Sequence, residues 1–538
     1  MSRLPDPVAE GLTRGWRVLD ASRDPLPATL RADVAIIGTG AGGGITAEVL
    51  ARAGLKVVLI EEGPLKTSRD FSMRENEAYP QLYQESAARK TRDQAITILQ
   101  GRCVGGSTTV NWTSSFRTPD ETLNWWGERW ALPGYEPEAL SPWFAQAERR
   151  LGIGPWLVPP NENNDLLRRG GMKLGIPVPA IQRNVRGCLN LGYCGMGCPA
   201  NAKQSMLVTT VPAALELGAT LITRARAQRL RIAGRRVEAI EVQALDADGL
   251  RPSGRSIEIR TEHVVLAGGA INSPAVLLRS EAPDPRGIAG TRTFLHPVVL
   301  SVADHEQEVR GFEGAPQTRY TDHFLGIDPI DGPIGFKLEA PPIHPVLFAV
   351  NLAGFGPEHA AAMRRFAHAH ALLALMRDGF HERSPGGRVR LRDDGSPVLD
   401  YPLDDFVFDG ARRAFRAMAE IQFAAGARSV RIGHERATPQ TTLAGLLAEL
   451  DRLVLAPFDT KVVSAHVMGG CTMSADDARG LVRPDGRHHH VDNLSVHDGS
   501  VFPTSIGANP QLSIYGIVTR MSAGLARSMT GREPEPLA

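Results

Sequence analysis

Asp33 to Gly63, DVAIIGTGAGGGITAEVLARAGLKVVLIEEG, is the stretch whose reading decides the fold. The apolar run Val34 to Ile37 predicts a buried parallel strand, and Gly38-x-Gly40-x-x-Gly43 follows it at once. An alanine- and leucine-rich helical pattern then runs to about Ala53, where Gly54 stops it. Val57 to Ile60 predicts a second strand ending at Glu61. A plain glycine-rich turn would lack the strand before, the helix after and the acid beyond; together they make a βαβ dinucleotide site. The first glycine allows the tight turn, the second lets a pyrophosphate approach the backbone, and the third lets helix and strand pack closely. Phosphates then sit on the helix N-terminus, where unpaired N–H groups and the dipole favour anions. Glu61 stands where an acid takes ribose hydroxyls. The fingerprint alone does not separate FAD from NAD.

A chain of 538 residues holds more than one core. Its 60 basic and 59 acidic residues leave almost no net charge, which speaks against a nucleic-acid surface or a polybasic anchor. The opening MSRLPDPVAEGLTRGW has no apolar signal core, and no apolar run approaches the length of a membrane span, so a cytoplasmic location is expected. Residues 1–30 read as a polar surface arm.

Further along, Gly101-Arg102-Cys103-Val104-Gly105-Gly106-Ser107-Thr108-Thr109-Val110-Asn111 is a loop whose backbone can press against a flat ring or a pyrophosphate. Trp125, Trp126 and Trp130 stand together, either anchoring a helix in a core or lining an apolar pocket. The α/β pattern returns over 206–250, and Val264 to Leu266 predicts another buried strand. Val389 to Leu391 and Pro397 to Leu399, joined through Asp394-Gly395, read as a hairpin. Helices are expected at about 358–377, 406–425 and 440–453. His488, His489 and His490 read as a surface loop.

The 101–111 loop and the N-terminal fingerprint resemble the glucose–methanol–choline (GMC) family of FAD oxidoreductases. Gly269 to Ser280 resembles the family's second signature, with Glu281 where a glycine is usual. Ser464-Ala465-His466-Val467-Met468-Gly469-Gly470 resembles its catalytic histidine loop. Asn493 to Ser500, followed by Gly507-Ala508-Asn509-Pro510, resembles its C-terminal flavin segment. These motifs run in family order from about 33 to 520, nearest to the long-chain alcohol oxidase and bacterial FAD sugar dehydrogenase branches.

The resemblance implies an α/β fold: a Rossmann-like FAD-binding domain (31–115, 206–285 and 455–538) behind the N-terminal arm, and a discontinuous substrate domain (116–205 and 286–454) on a mostly antiparallel sheet flanked by helices. It implies FAD contacts from Gly38, Gly40, Gly43 and Glu61, and from Arg102, Gly105, Gly106, Ser107, Val110 and Asn111 on the second loop. Ala227 would lie beside the adenine, Gly268, Asp498 and Gly499 against the cofactor, and Pro510 and Gln511 at a helix start facing the flavin pyrimidine. Some members attach FAD through a histidine where this chain has Val110, so non-covalent FAD is expected.

Taking hydride from an alcohol needs an acceptor at the carbon and a base at the oxygen. The isoalloxazine N5 is the acceptor. A neutral imidazole, ordinarily with a pKa of ~6.5, is the usual base. Alone, His466 reads as a structural histidine; its place in the motif makes it the expected general base. Asn509, where many members carry a second histidine, cannot be a base and is expected to orient the substrate oxygen and steady the alkoxide. His296, in a Leu-His-Pro-Val stretch like that of the alcohol oxidase branch, is expected to be structural. The implied reaction oxidises a CH–OH group to an aldehyde or ketone, with electrons passing to oxygen, a quinone or a cytochrome subunit. A flavin-bound lyase without net redox chemistry, and a non-catalytic electron-transfer subunit, are the other classes.

Five cysteines are few for a disulfide scaffold, but three fall in Gly187-Cys188-x5-Cys194-x3-Cys198-Pro199. Thiolates on a glycine-rich loop suit metal ligation. The spacing resembles the three-iron (3Fe-4S) cluster loop of bacterial FAD sugar dehydrogenases, which pass electrons to a cytochrome. Long-chain alcohol oxidases carry a similar loop followed by a lysine, here Lys203, for which a reduced structural loop is the alternative.

Overall fold

Val34–Ile37 form the buried end of the strand Thr29–Ile37, which turns through Gly38 into the helix Ala41–Arg52 and on to the strand Val57–Ile60. Gly38 has φ +102°, and a Cβ there would overlap the Ala267 carbonyl oxygen, so only glycine fits the turn. The computed structural model describes residues 5–537. In the first sheet Arg17–Asp20, Thr220–Thr223, Val57–Ile60, Thr29–Ile37 and Pro252–Leu266 lie side by side in parallel. Arg236–Leu245 and Ala225–Ala233 extend it antiparallel, and Leu494–Val496 pairs in parallel with the inner end of Pro252–Leu266. The expected N-terminal arm is therefore partly built in: Pro7–Thr13 is a helix and Arg17–Asp20 an edge strand. Four half-covered residues are too short to show strand alternation in a sequence.

The second sheet runs Tyr320–Thr321, Phe336–Glu339, Ala369–Met376, Val298–Asp304, Val462–Ser464, Ile96–Ile98, antiparallel except for its last pair. The helix Asp405–Ala424 covers one face with Phe415, Met418 and Ile421. The helix expected over 358–377 is instead the helix Gly356–Arg364 followed by the strand Ala369–Met376. All eight residues of that strand are buried. AHALLALM has no polar face to mark a period, and pairing on both edges overrides its helix propensity. The helices Asp405–Ala424 and Leu443–Arg452 and the 388–400 hairpin lie where expected.

Elements cross the sequence-based domain boundaries. Trp126, Leu140, Phe144 and Leu151, from the 116–205 segment, pack into the core of the first sheet. Ile96–Ile98 and Val462–Ser464, from segments assigned to the cofactor domain, are strands of the second sheet. Trp126 is a core anchor whose indole N–H donates to Thr504 Oγ1 at 2.7 Å. The histidine run is not wholly a surface loop: His488 is buried, its backbone pairs with Leu494, and burial lowers its pKa to about 4. No helix of the described residues is long and apolar enough to cross a membrane.

Candidate active site

Two glycine loops meet where a cofactor must lie. The helix Ala41–Arg52 begins at Gly40 with no side-chain cap, so its first N–H groups are left for an anion. A Cβ on Gly43 would strike the Gly38 carbonyl oxygen, and one on Gly106 would come 2.8 Å from the Gly40 Cα. At the end of the Val57–Ile60 strand, the buried Glu61 carboxylate accepts from the Thr39 hydroxyl (2.6 Å) and from Gly63 N–H (2.9 Å). Burial pushes its pKa up. Thr39 N–H also donates to Oε2 (3.2 Å), so Oε1 is the oxygen that keeps a lone pair for a ribose hydroxyl. Gly105 N–H donates to Thr39 Oγ1, tying the second loop to the first, and Ser107 next to it is exposed. The cradle, the free helix end and the acid fit FAD.

Other expected contacts are placed differently. Arg102 is buried with Nη1 3.9 Å from Glu62. Gln511, at the start of the Gln511–Thr530 helix after Pro510, gives its amide to Ser114, Ser115 and Asn184 and accepts from Asn111, so these two side chains hold each other. Asp498 accepts from Gly269 N–H and the Ser273 hydroxyl, locking the loop at Gly499 to the start of the Gly269–Arg279 helix beside Gly268. Val110 and Ala227 are buried.

His466 lies two residues beyond the strand Val462–Ser464, half-buried beside the exposed Ala465. His296, two residues before the neighbouring strand Val298–Asp304, places Nδ1 3.3 Å from His466 Nδ1. Gly507 N–H donates to His296 Nε2 at 3.0 Å. That donor puts the His296 proton on Nδ1, aimed at His466, whose Nδ1 lone pair faces it and whose own proton is on Nε2. Burial holds both rings below the usual pKa, His466 at about 3 with the Lys337 charge adding, so both are neutral at pH 7. His296 thus lies against His466, where the sequence alone predicts a structural histidine. Its backbone has φ +44°, a conformation L residues rarely adopt, before a proline. The buried Asp378 holds it there by accepting N–H bonds from Leu295 and His296, both 3.1 Å. Strain maintained this way concentrates at functional sites.

Asn509 is buried and donates Nδ2–H to Glu339 Oε2 at 3.2 Å, leaving its carbonyl oxygen without a partner. It therefore offers an acceptor as well as its second Nδ2–H. Glu339 Oε1 also lacks a partner, with Lys337 Nζ 4.0 Å away. Desolvation raises the Glu339 pKa and lowers that of Lys337.

The cysteine loop does not match a cluster site. Cys188, Cys194 and Cys198 are free and half-buried, and no three His, Cys, Asp or Glu side chains among the described residues gather to hold a metal. The Arg183 guanidinium lies 3.9 Å from Cys194 Sγ. Lys203 has a structural role instead. Its buried ammonium donates at 2.7 Å to the carbonyls of Thr109, Asn111 and Cys194. These bonds pin the cysteine loop beneath the second glycine loop.

Two models for the GMC oxidoreductases match the chain, over residues 79–298 and 383–517. An uncharacterised GMC-type oxidoreductase of Mycobacterium tuberculosis is 30% identical over 512 residues, covering 94% of this chain and 77% of that protein. The long-chain-alcohol oxidase FAO4A of Arabidopsis thaliana is 27% identical over 513 residues, covering 91% of this chain and 67% of that protein. Among solved structures, formate oxidase of Aspergillus oryzae superposes with a TM-score of 0.68 at 15% identity, covering 94% of this chain and 99% of that one.

Proposed function

Since the chain belongs to the GMC oxidoreductases, FAD enzymes as a family, we propose that it oxidises an alcohol CH–OH group to an aldehyde or ketone. The observation that carries this is the His296–His466 pair beside the glycine cradle. Bound non-covalently through the two glycine loops, Glu61 and the Gln511–Thr530 helix start, FAD supplies the hydride acceptor. An alcohol oxygen that enters between the two Nδ1 atoms and parts the rings replaces their mutual hydrogen bond. Its O–H donates to His466 Nδ1, the general base, and the His296 Nδ1–H donates back to the oxygen. As the proton moves to His466, the His296 donor steadies the developing alkoxide, which lowers the barrier to losing hydride. Gly507 and Asp378 fix the His296 tautomer and ring. Asn509 turns a carbonyl acceptor toward the substrate. The activity named for the Arabidopsis relative, a long-chain-alcohol oxidase, favours a CH–OH donor and oxygen as acceptor.

The test is anaerobic mixing of the FAD-loaded protein with a panel of alcohols that includes 1-octanol, benzyl alcohol and D-glucose, following the flavin absorbance. At least one alcohol should bleach wild type. In His466→Ala the FAD should stay bound and bleaching should slow by about 10²–10⁴-fold. Near-normal bleaching in that variant removes His466 from the mechanism.

A further inference from the structure

We propose that Lys337 and Glu339 form a second subsite beside the histidine pair, built to read a further hydroxyl of a neutral polyhydroxylated alcohol; it deepens, and rests on, the oxidoreductase reading. The strand Phe336–Glu339 alternates cleanly. Phe336 and Leu338 enter the core under the Asp405–Ala424 helix. Lys337 and Glu339 point to the other face. Across that face Lys337 is in register with Leu375, Leu375 with Val298, and Val298 with Val463, three residues before His466. The two charges therefore share a sheet face with the approach to the base, and the Lys337 charge is felt by both His296 and His466.

The pair is not built like a structural ion pair. Glu339 is fully buried and Lys337 is 2% exposed, yet Nζ and Oε1 stand 4.0 Å apart, outside hydrogen-bond distance. Lys337 Nζ instead sits 3.0 Å from the Phe116 ring centre and 4.2 Å from that of Tyr320. Two buried acceptors beside it, Glu339 Oε1 and Asn509 Oδ1, have no partner, and neither does the Arg377 Nε–H donor. Arg377 packs against Gly507, the residue that holds His296. Unpaired buried polar groups are rare in a finished core and expected where a ligand completes them.

Their chemistry selects the ligand. An alkyl chain would bury both acceptors, the Lys337 ammonium and the Arg377 Nε–H unpaired. An ammonium would meet the Lys337 charge, and Arg377 is already paired with Glu121 at 3.1 Å. A hydroxyl both donates, to Glu339 Oε1 or Asn509 Oδ1, and accepts, from Lys337. Trp112, Leu300 and Val463, partly buried on the same side, leave an apolar wall for the C–H face of a sugar-like ring.

The test titrates D-glucose, xylitol and myo-inositol into the oxidised FAD-loaded protein by calorimetry, with 1-octanol as the control ligand, and runs anaerobic bleaching with the same four compounds. At least one polyol should bind, and Glu339→Gln should weaken it at least tenfold more than it weakens 1-octanol. Lys337→Met, with bound FAD as the check on folding, is the second variant should the first not fold. Equal weakening of both ligand types, or no heat with any of the three polyols, overturns the subsite. Polyol heat without bleaching by any alcohol refutes the oxidoreductase reading and leaves the subsite standing; bleaching by 1-octanol without polyol heat does the reverse.

Discussion

Replacing His296 by alanine separates a catalytic ring from a structural one. The substitution removes the Nδ1–H that faces His466 at 3.3 Å and the Nε2 lone pair that accepts from Gly507 N–H at 3.0 Å. The second loss strands a buried backbone donor, worth about 1–3 kcal/mol of stability. The ring is 1% exposed, so a cavity term adds to that loss. The first loss removes one preorganised donor to the alkoxide, which elsewhere costs about 10²–10³ in rate, or about 3–4 kcal/mol. Bleaching by the best alcohol should therefore slow about 100-fold or more, with FAD content unchanged and the urea midpoint modestly lower. Added imidazole should restore part of the rate, because the vacated ring site faces the substrate. Adding His466→Ala should slow the reaction far less than the product of the two single effects, since the rings act as a unit. If His296→Ala bleaches within about threefold of wild type while its urea midpoint falls, the ring only supports Gly507, and the proposed division of labour fails.

Lys203→Met should strand the carbonyls of Thr109, Asn111 and Cys194, lower stability by about 3 kcal/mol or more and release FAD on gel filtration; full FAD retention at an unchanged urea midpoint would show that the loops hold without it. Acid precipitation should leave all flavin in the supernatant, since Val110 stands where some relatives carry the attaching histidine; a yellow pellet refutes non-covalent binding. His497 is buried, its pKa lowered from 6.5 to about 3 by burial first and then by His263 and Arg487. Between those values the unfolded chain binds more protons, so the stability from its neutral form is complete above about pH 6.5 and lost as pH falls toward 3. Wild type should lose about 2 kcal/mol more than His497→Asn between pH 7 and pH 5 by urea unfolding, and parallel losses would refute the assignment.

The first sheet was legible because its residues carry local constraints. Gly38 and Gly43 answer to overlaps within a few residues of themselves or with the neighbouring strand, and the Asp33–Gly63 pattern needs no distant information. Glu281 kept the glycine-like conformation of its motif position, φ +49°, although the residue changed. The second sheet was harder. Ala369–Met376 is covered on both faces, so period 2 disappears and its composition reads as helix. Ile96–Ile98 and Val462–Ser464 are three-residue strands whose partners lie hundreds of residues apart in the chain, and no local pattern announces such pairing.

The site divides the same way. His466 and Asn509 sit in motifs, so their positions were readable, but the direction Asn509 faces was not. That depends on Glu339, 170 residues away, taking its N–H. His296 gave only a histidine before a proline; its function comes from a backbone strained to φ +44° and held by Asp378 from another strand end. The cysteine spacing suggested metal because spacing along a chain cannot show whether three thiols gather, and among the described residues they do not. Phe336-Lys337-Leu338-Glu339 has the alternation of a half-exposed strand, whose polar face would ordinarily meet water. Alternation tells which side chains share a face but not what covers that face. Here the cover is Phe116 and Tyr320 over Lys337 and Asn509 against Glu339, which turns a solvated-looking Lys-x-Glu into two buried charges.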